Sequence, residues 1–155
     1  MTHVLFVCLG NVCRSAMADA IFRRLVQQHH LQNQYRIDSA GTSNEEQGHL
    51  PNPHVRKVMT AHHLDYRYLR ARQITPQDYQ WADYIIGMDA QNIYDLQQNA
   101  PAGCEAKIHL CLNILPQHQG QEIPDPWYTH RFNYTYQVLA QVLPLWLKYF
   151  QEHRP

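Results

Sequence analysis

The stretch His3-Val4-Leu5-Phe6-Val7-Cys8-Leu9-Gly10-Asn11-Val12-Cys13-Arg14-Ser15 decides the fold. Residues 3–7 form a short, largely apolar run ended by Gly10, as expected for a strand covered on both faces. From Ser15 the period changes. Met17, Ala20, Ile21 and Leu25 recur at three and four residues and mark one apolar face of a helix. A strand therefore passes directly into a helix, and the turn between them lies where open parallel sheets bind ligands, beyond the carboxyl end of a strand.

The alternation continues downstream. Tyr35 to Ala40 reads as a second strand, and Val55, Val58, Met59 and His62 mark a helix face. Thr75-Pro76-Gln77-Asp78 supplies an N-cap and a proline at the first helical position, so a short helix begins there. Tyr84 to Met88 is a third strand, Ala90 to Gln98 is helical, and Ile108 to Leu112 reads as a fourth strand. Gln117 to Gln121, next to Pro116, reads as a surface loop. Tyr136, Leu139, Leu143, Leu147 and Phe150 form a long C-terminal helical stripe, which Pro144 is expected to bend or restart. Strands alternating with helices predict an α/β fold built on a doubly wound parallel sheet, with residues 1–155 as one domain.

Composition narrows the function. Thirteen Lys+Arg balance thirteen Asp+Glu, leaving no basic surplus for nucleic acid, while 45% apolar residues and ten Tyr describe a chain that folds alone. The early apolar run is far shorter than the roughly 20 residues of a membrane span or a complete signal peptide, so no membrane insertion and a cytoplasmic location are expected. In that compartment Cys8, Cys13, Cys104 and Cys111 are expected as thiols. Cys104 and Cys111, seven apart, would point to opposite faces of a strand and read as structural. Eleven His invite a metal site, but His29-His30 and His62-His63 are adjacent pairs and no His-x3-His spacing occurs, so no metal is expected and the histidines read as solvated surface.

The chemistry sits in residues 8–15. Five residues between Cys8 and Arg14 suffice to curl the backbone so that N–H groups converge on one point, and the helix N-terminus adds free donors and the positive end of its dipole. Leu9, Gly10, Asn11, Val12 and Cys13 thus form an anion cradle. A thiol in that field is expected as thiolate, which makes Cys8 the candidate nucleophile. Arg14 can hold two oxygens of a phosphoryl group bidentately, and Ser15 can hydrogen-bond the sulfur and help it leave. No Gly-Lys-Ser/Thr or Gly-x-Gly-x-x-Gly pattern is present, which sets nucleotide-binding loops aside.

This segment resembles the signature of the low-molecular-weight protein tyrosine phosphatases. Asp38-Ser-Ala-Gly-Thr42, Ala71-Arg-Gln73, Asp83-Tyr-Ile-Ile-Gly-Met-Asp89 and Asp125-Pro126 resemble that family's later blocks in the same order. The resemblance implies a four-stranded parallel sheet with helices on both faces and a two-step phosphomonoester hydrolysis that uses no cofactor or metal. It implies Cys8 as nucleophile, Arg14 as phosphate clamp, Ser15 as the hydroxyl beside the sulfur, Asp125 as general acid, and Asn11 and Ser39 as residues that hold the loop in shape. The expected partner is a phosphotyrosine-containing protein or a small aryl phosphate, met by a monomer. Trp127 and Tyr128, after the acid, can wall the cleft against a phenyl ring, although packing or a loop anchor is an alternative for Tyr128. Cys13 could form a protective disulfide with Cys8, or be inert and buried.

Four positions depart from the family's pattern. Ala16 replaces a usual proline, Asp19 a glutamate and Leu69 a histidine, so a polar network between helix and loop has to be rebuilt. Glu45, next to Glu46, stands where many relatives place an aromatic residue on the opposite wall, which predicts repulsion of acidic peptide flanks and admission of basic ones. Two other functions fit the first motif. An arsenate reductase on the same fold would need further relay cysteines, and a silent phosphate-binding module would need neither Cys8 nor Asp125.

Overall fold

The computed structural model describes residues 1–154. Four strands, β1 (Thr2–Cys8), β2 (Tyr35–Gly41), β3 (Tyr84–Gly87) and β4 (Ile108–Leu110), form one sheet in the order β2-β1-β3-β4. Every pairing is parallel. The helices are α1 (Arg14–Gln28), α2 (Pro53–Ala61), α3 (Pro76–Trp81), α4 (Ala90–Asn99), α5 (Pro126–Thr129) and α6 (Phe132–Glu152).

Side chains of β1 alternate between two cores, because successive residues of a strand point to opposite faces. Val4, Phe6 and Cys8 join the larger core with Met17, Phe22 and Phe150, and Leu5 and Val7 join a smaller one with Tyr79 and Leu96. Both faces are therefore covered, and the central strand is apolar from Val4 to Cys8 between them. Phe22 stacks edge-on to Phe6 at 5.6 Å and to Phe150 at 5.8 Å, tying α1 and α6 to the sheet. The buried face of α1 is wider than the stripe read from sequence: Phe22 and Val26 are fully inside, while Leu25 is half-buried.

The structure differs from the sequence reading at four places. β4 stops at Leu110, and Cys111–Ile114 turns as a 3-10 helix, so Cys104 and Cys111 do not share a strand; both are buried and unpaired. The C-terminal helix runs unbroken through Pro144. A proline inside a helix costs about 3 kcal/mol. Here Pro144 lies on the exposed side, and its neighbours Leu143, Trp146 and Leu147 are buried, each worth about 1.5–3 kcal/mol. Packing wins, and the helix continues.

His62 lies past the α2 face as its C-cap and stacks on Tyr136 at 3.7 Å. His54 stacks on Phe132 and His153 on Tyr149, while His109 is half-buried near Tyr84 and Trp146, with burial pushing its pKa down. Several histidines are thus flat packing surfaces rather than freely solvated groups. Among the described residues no three His, Cys, Asp or Glu side chains gather as a metal-holding group.

Candidate active site

β1 ends at Cys8 and α1 begins at Arg14, so residues 9–13 form the loop at the carboxyl end of the central strand. The backbone of this loop is fixed from outside. Thr42 N–H donates to the Cys8 carbonyl at 2.9 Å, Ser43 N–H to Leu9 at 3.0 Å, and Asn52 N–H to Val12 at 2.9 Å. With these carbonyls held outward, no N–H group from Leu9 to Arg14 donates to an acceptor among the described residues. The contact is close: a Cβ on Gly41 would lie 2.7 Å from the Leu9 carbonyl oxygen, so only glycine fits there.

Asn11 takes the left-handed conformation, with φ 60, that asparagine tolerates better than most residues. Its side chain donates from Nδ2 to Ser15 Oγ at 2.8 Å, and its Oδ1 accepts from the Arg72 N–H at 3.1 Å. Ser15 Oγ lies 3.0 Å from Cys8 Sγ, and the Ser15 N–H reaches the same sulfur at 3.4 Å. A chain of bonds therefore runs from Arg72 through Asn11 and Ser15 to the thiol. Ser39 is buried on β2 opposite Phe6 and makes no hydrogen bond to the loop among the described residues.

Arg14 is buried, which works against its charge, but the Cys8 sulfur, Asp89 and Asp125 outweigh burial and raise its pKa. Its Nη1 donates to Asp89 Oδ2 at 2.7 Å and to the Ile123 carbonyl at 2.9 Å. Its Nη2 lies 3.4 Å from Asp125 Oδ2. Its Nε is buried without a partner among the described residues. An unpaired buried donor on a cation is costly, and an anion beside the loop would satisfy it.

Asp125 caps α5, where its Oδ1 accepts the Trp127 N–H at 3.0 Å and Pro126 fills the first helical position. The carboxylate is thereby held between the helix start and Arg14. Trp127 is 54% exposed and Tyr128 72%, so neither is a buried anchor. Both line a cleft of about 120 Å³ together with Cys8, Leu9, Gly10, Val12, Cys13 and Asp125, and Ser43, Glu45 and Glu46 of the segment after β2 line it too. Burial pushes the Cys13 thiol up, with the charges of Cys8 and Asp125 adding to it.

The reading from sequence missed Asp89, the Ile123 carbonyl and the Arg72 N–H. Asp89 stood in a quoted block and at the end of β3, the strand beside β1; its position beyond a strand end was the available signal. The departure at Leu69 is answered by its neighbour. Tyr68 donates to the buried Asp19 at 2.9 Å, Arg23 pairs with the same oxygen at 3.1 Å, and Arg23 reaches the Ile37 carbonyl of β2.

The family model described as low molecular weight phosphotyrosine protein phosphatase matches residues 3–155. The chain belongs to that family. It is 45% identical over 127 residues to the low molecular weight phosphotyrosine protein phosphatase of Gallus gallus, covering 81% of this chain and 79% of that one. It is 37% identical over 139 residues to the low molecular weight protein-tyrosine-phosphatase YfkJ of Bacillus subtilis, covering 90% and 89%. The crystal structure of YfkJ superimposes with a TM-score of 0.95 at 34% identity, over 100% of this chain and 98% of that one. The four-stranded α/β architecture of this phosphatase is thus the family's own. None of its helices is long and apolar enough to cross a membrane among the described residues.

Proposed function

We propose that this phosphatase hydrolyses phosphotyrosine in proteins, and small aryl phosphates, through a cysteinyl-phosphate intermediate and without a metal. The observation that carries this reading is Arg14 Nε, buried and unpartnered, beside a loop whose N–H groups are all free and whose edge holds the Cys8 sulfur. In the first step the Cys8 thiolate attacks phosphorus, the bond from phosphorus to the aryl oxygen breaks, and Asp125 gives its proton to that oxygen. Arg14 and the loop N–H groups hold the three remaining phosphoryl oxygens, where charge develops. In the second step Asp125 takes a proton from water, the water oxygen bonds to phosphorus, and the sulfur leaves as thiolate beside the Ser15 hydroxyl. Trp127 and Tyr128 give the departing phenyl ring an apolar wall.

A free thiol nucleophile suits a reducing compartment, and we place the enzyme in the cytoplasm as a monomer. Cys13, in the same loop, would pair with a peroxide-oxidised Cys8, expelling water and closing a reversible disulfide. Arsenate reduction is not favoured: Cys104 and Cys111 are buried, and burial pushes the Cys111 thiol up to about 12, which suits no relay.

The test is Cys8→Ser. Turnover of p-nitrophenyl phosphate without added metal should fall by at least about 10³-fold, with vanadate binding largely kept. Full activity in this variant would sink the mechanism. Thioredoxin-coupled arsenate reduction by the unaltered chain would favour the other enzyme.

A further inference from the structure

We infer that the loop after β2 selects phosphotyrosines flanked by a basic residue, through Glu45 and Glu46, which line the same cleft as the phosphate cradle. This rests on the phosphatase reading above and names its substrate class.

The cleft is bipolar. At one end it is lined by Cys8 and the anion loop, next to Arg14, which is 1% exposed and carries a donor without a partner among the described residues, so that end takes an anion. The charged side chains on the walls are Glu45, Glu46 and Asp125, all acidic, with no lysine or arginine among the lining residues. Two carboxylates at the mouth slow the approach of a phosphate dianion that carries no compensating charge. A substrate with its own cation near the phosphate removes that repulsion.

The two carboxylates differ in their surroundings. Glu46 pairs with His49 Nδ1 at 2.7 Å and packs beside the anion loop, where its Cγ would lie 3.4 Å from a Cβ on Gly10. Glu45 is exposed and makes no ion pair among the described residues, so its charge is free to meet a ligand. The wall is also fixed. Gly48 N–H donates to the Ala71 carbonyl at 2.7 Å, Ala71 N–H to His49 at 2.8 Å, and Gln73 N–H to Gln47 Oε1 at 3.1 Å.

The cleft does not end at this wall. A second groove of about 290 Å³ shares Val12, Glu46 and Trp127 with it and runs on over Leu50 and Pro51. A peptide carrying phosphotyrosine would leave the cleft past Glu46 into that groove, whose lining mixes Leu50, Pro51 and Pro53 with His49, Asn52 and Arg56, so a cation is met at Glu45 and Glu46 and not further along. The occupant is thus a peptide segment with lysine or arginine within two positions of the phosphotyrosine.

The experiment compares kcat/KM for matched phosphotyrosine peptides bearing arginine or glutamate on either side, with p-nitrophenyl phosphate and a phosphoarginine peptide run in parallel. The arginine-flanked peptide should exceed the glutamate-flanked one by roughly tenfold at low salt, and by only about two- to threefold in 0.5 M NaCl. In Glu45→Gln/Glu46→Gln the ratio should fall toward one. Because it is a ratio within one enzyme preparation, partial misfolding does not move it. A wild-type ratio of one or less, a ratio unchanged in the double variant, or faster turnover of the phosphoarginine peptide would overturn the inference. If no substrate were hydrolysed at all, the phosphatase reading would fall, and this one with it.

Discussion

Asp89 Oδ2, at the end of β3, holds Arg14 Nη1 at 2.7 Å and so sets the plane in which the guanidinium faces the loop. The same residue caps α4, accepting the Asn92 N–H at 2.7 Å through its other oxygen.

Asp89→Asn separates these two roles, since asparagine caps a helix as well as aspartate does but brings no charge to the arginine. A charge-assisted bond contributes about 1.5–3 kcal/mol. We expect kcat/KM for p-nitrophenyl phosphate to fall about 10- to 100-fold with a thermal midpoint close to that of the parent. Unchanged kinetics would mean that the Ile123 carbonyl and Asp125 suffice to position Arg14.

Asp125→Ala removes the proton donor. The loss in kcat should be about 10²–10⁴-fold for phosphotyrosine and smaller for p-nitrophenyl phosphate, whose leaving group departs readily without a proton. A rate loss independent of leaving-group acidity would exclude Asp125 as the acid.

Asn11 holds the loop by its backbone and by its side chain, and two variants tell these apart. Asn11→Gly and Asn11→Ala both lose the bonds to Ser15 and Arg72, but only alanine must be forced to φ 60. Urea unfolding should place the alanine variant about 1–2 kcal/mol below the glycine variant. Equal stabilities would show that the loop relaxes out of the left-handed conformation.

Asp78 makes the chain sensitive to acid. Burial opposes its ionisation, but the Arg72 bonds at 2.9 Å and the Thr75 N–H at 2.7 Å outweigh it and hold its pKa below the ordinary 3.8. The folded state therefore binds its proton later than the unfolded chain as pH falls. The stability it contributes is complete above the ordinary value and is lost as pH drops through the lowered one. Asp78→Ala should cost about 1–2 kcal/mol at pH 7 and flatten the loss of stability below about pH 4, measured by urea unfolding across that range.

What the sequence made legible was local. The apolar run into β1, the change of period at α1 and the N-cap at Thr75 are written in neighbouring residues, and the structure has a strand, a helix and a helix start at those places. The candidate site was half legible for the same reason: Cys8, Arg14 and Ser15 share one turn. Asp89 and Ile123 reach Arg14 from 75 and 109 residues away, and only the sheet order brings them there. Pro144 does not restart the helix, because helix propensity is local, whereas the burial of Leu143 and Leu147 that overrides it is not.

The bonds from Thr42, Ser43 and Asn52 tie the anion loop to the same segment that carries Glu45 and Glu46, so the two sides of the cleft are joined through the backbone. A gauge of this kind sorts molecules as they arrive. Discrimination among phosphoproteins would then be exerted at the encounter, in how often a collision becomes a seated complex, rather than by a lid shutting behind a ligand already bound.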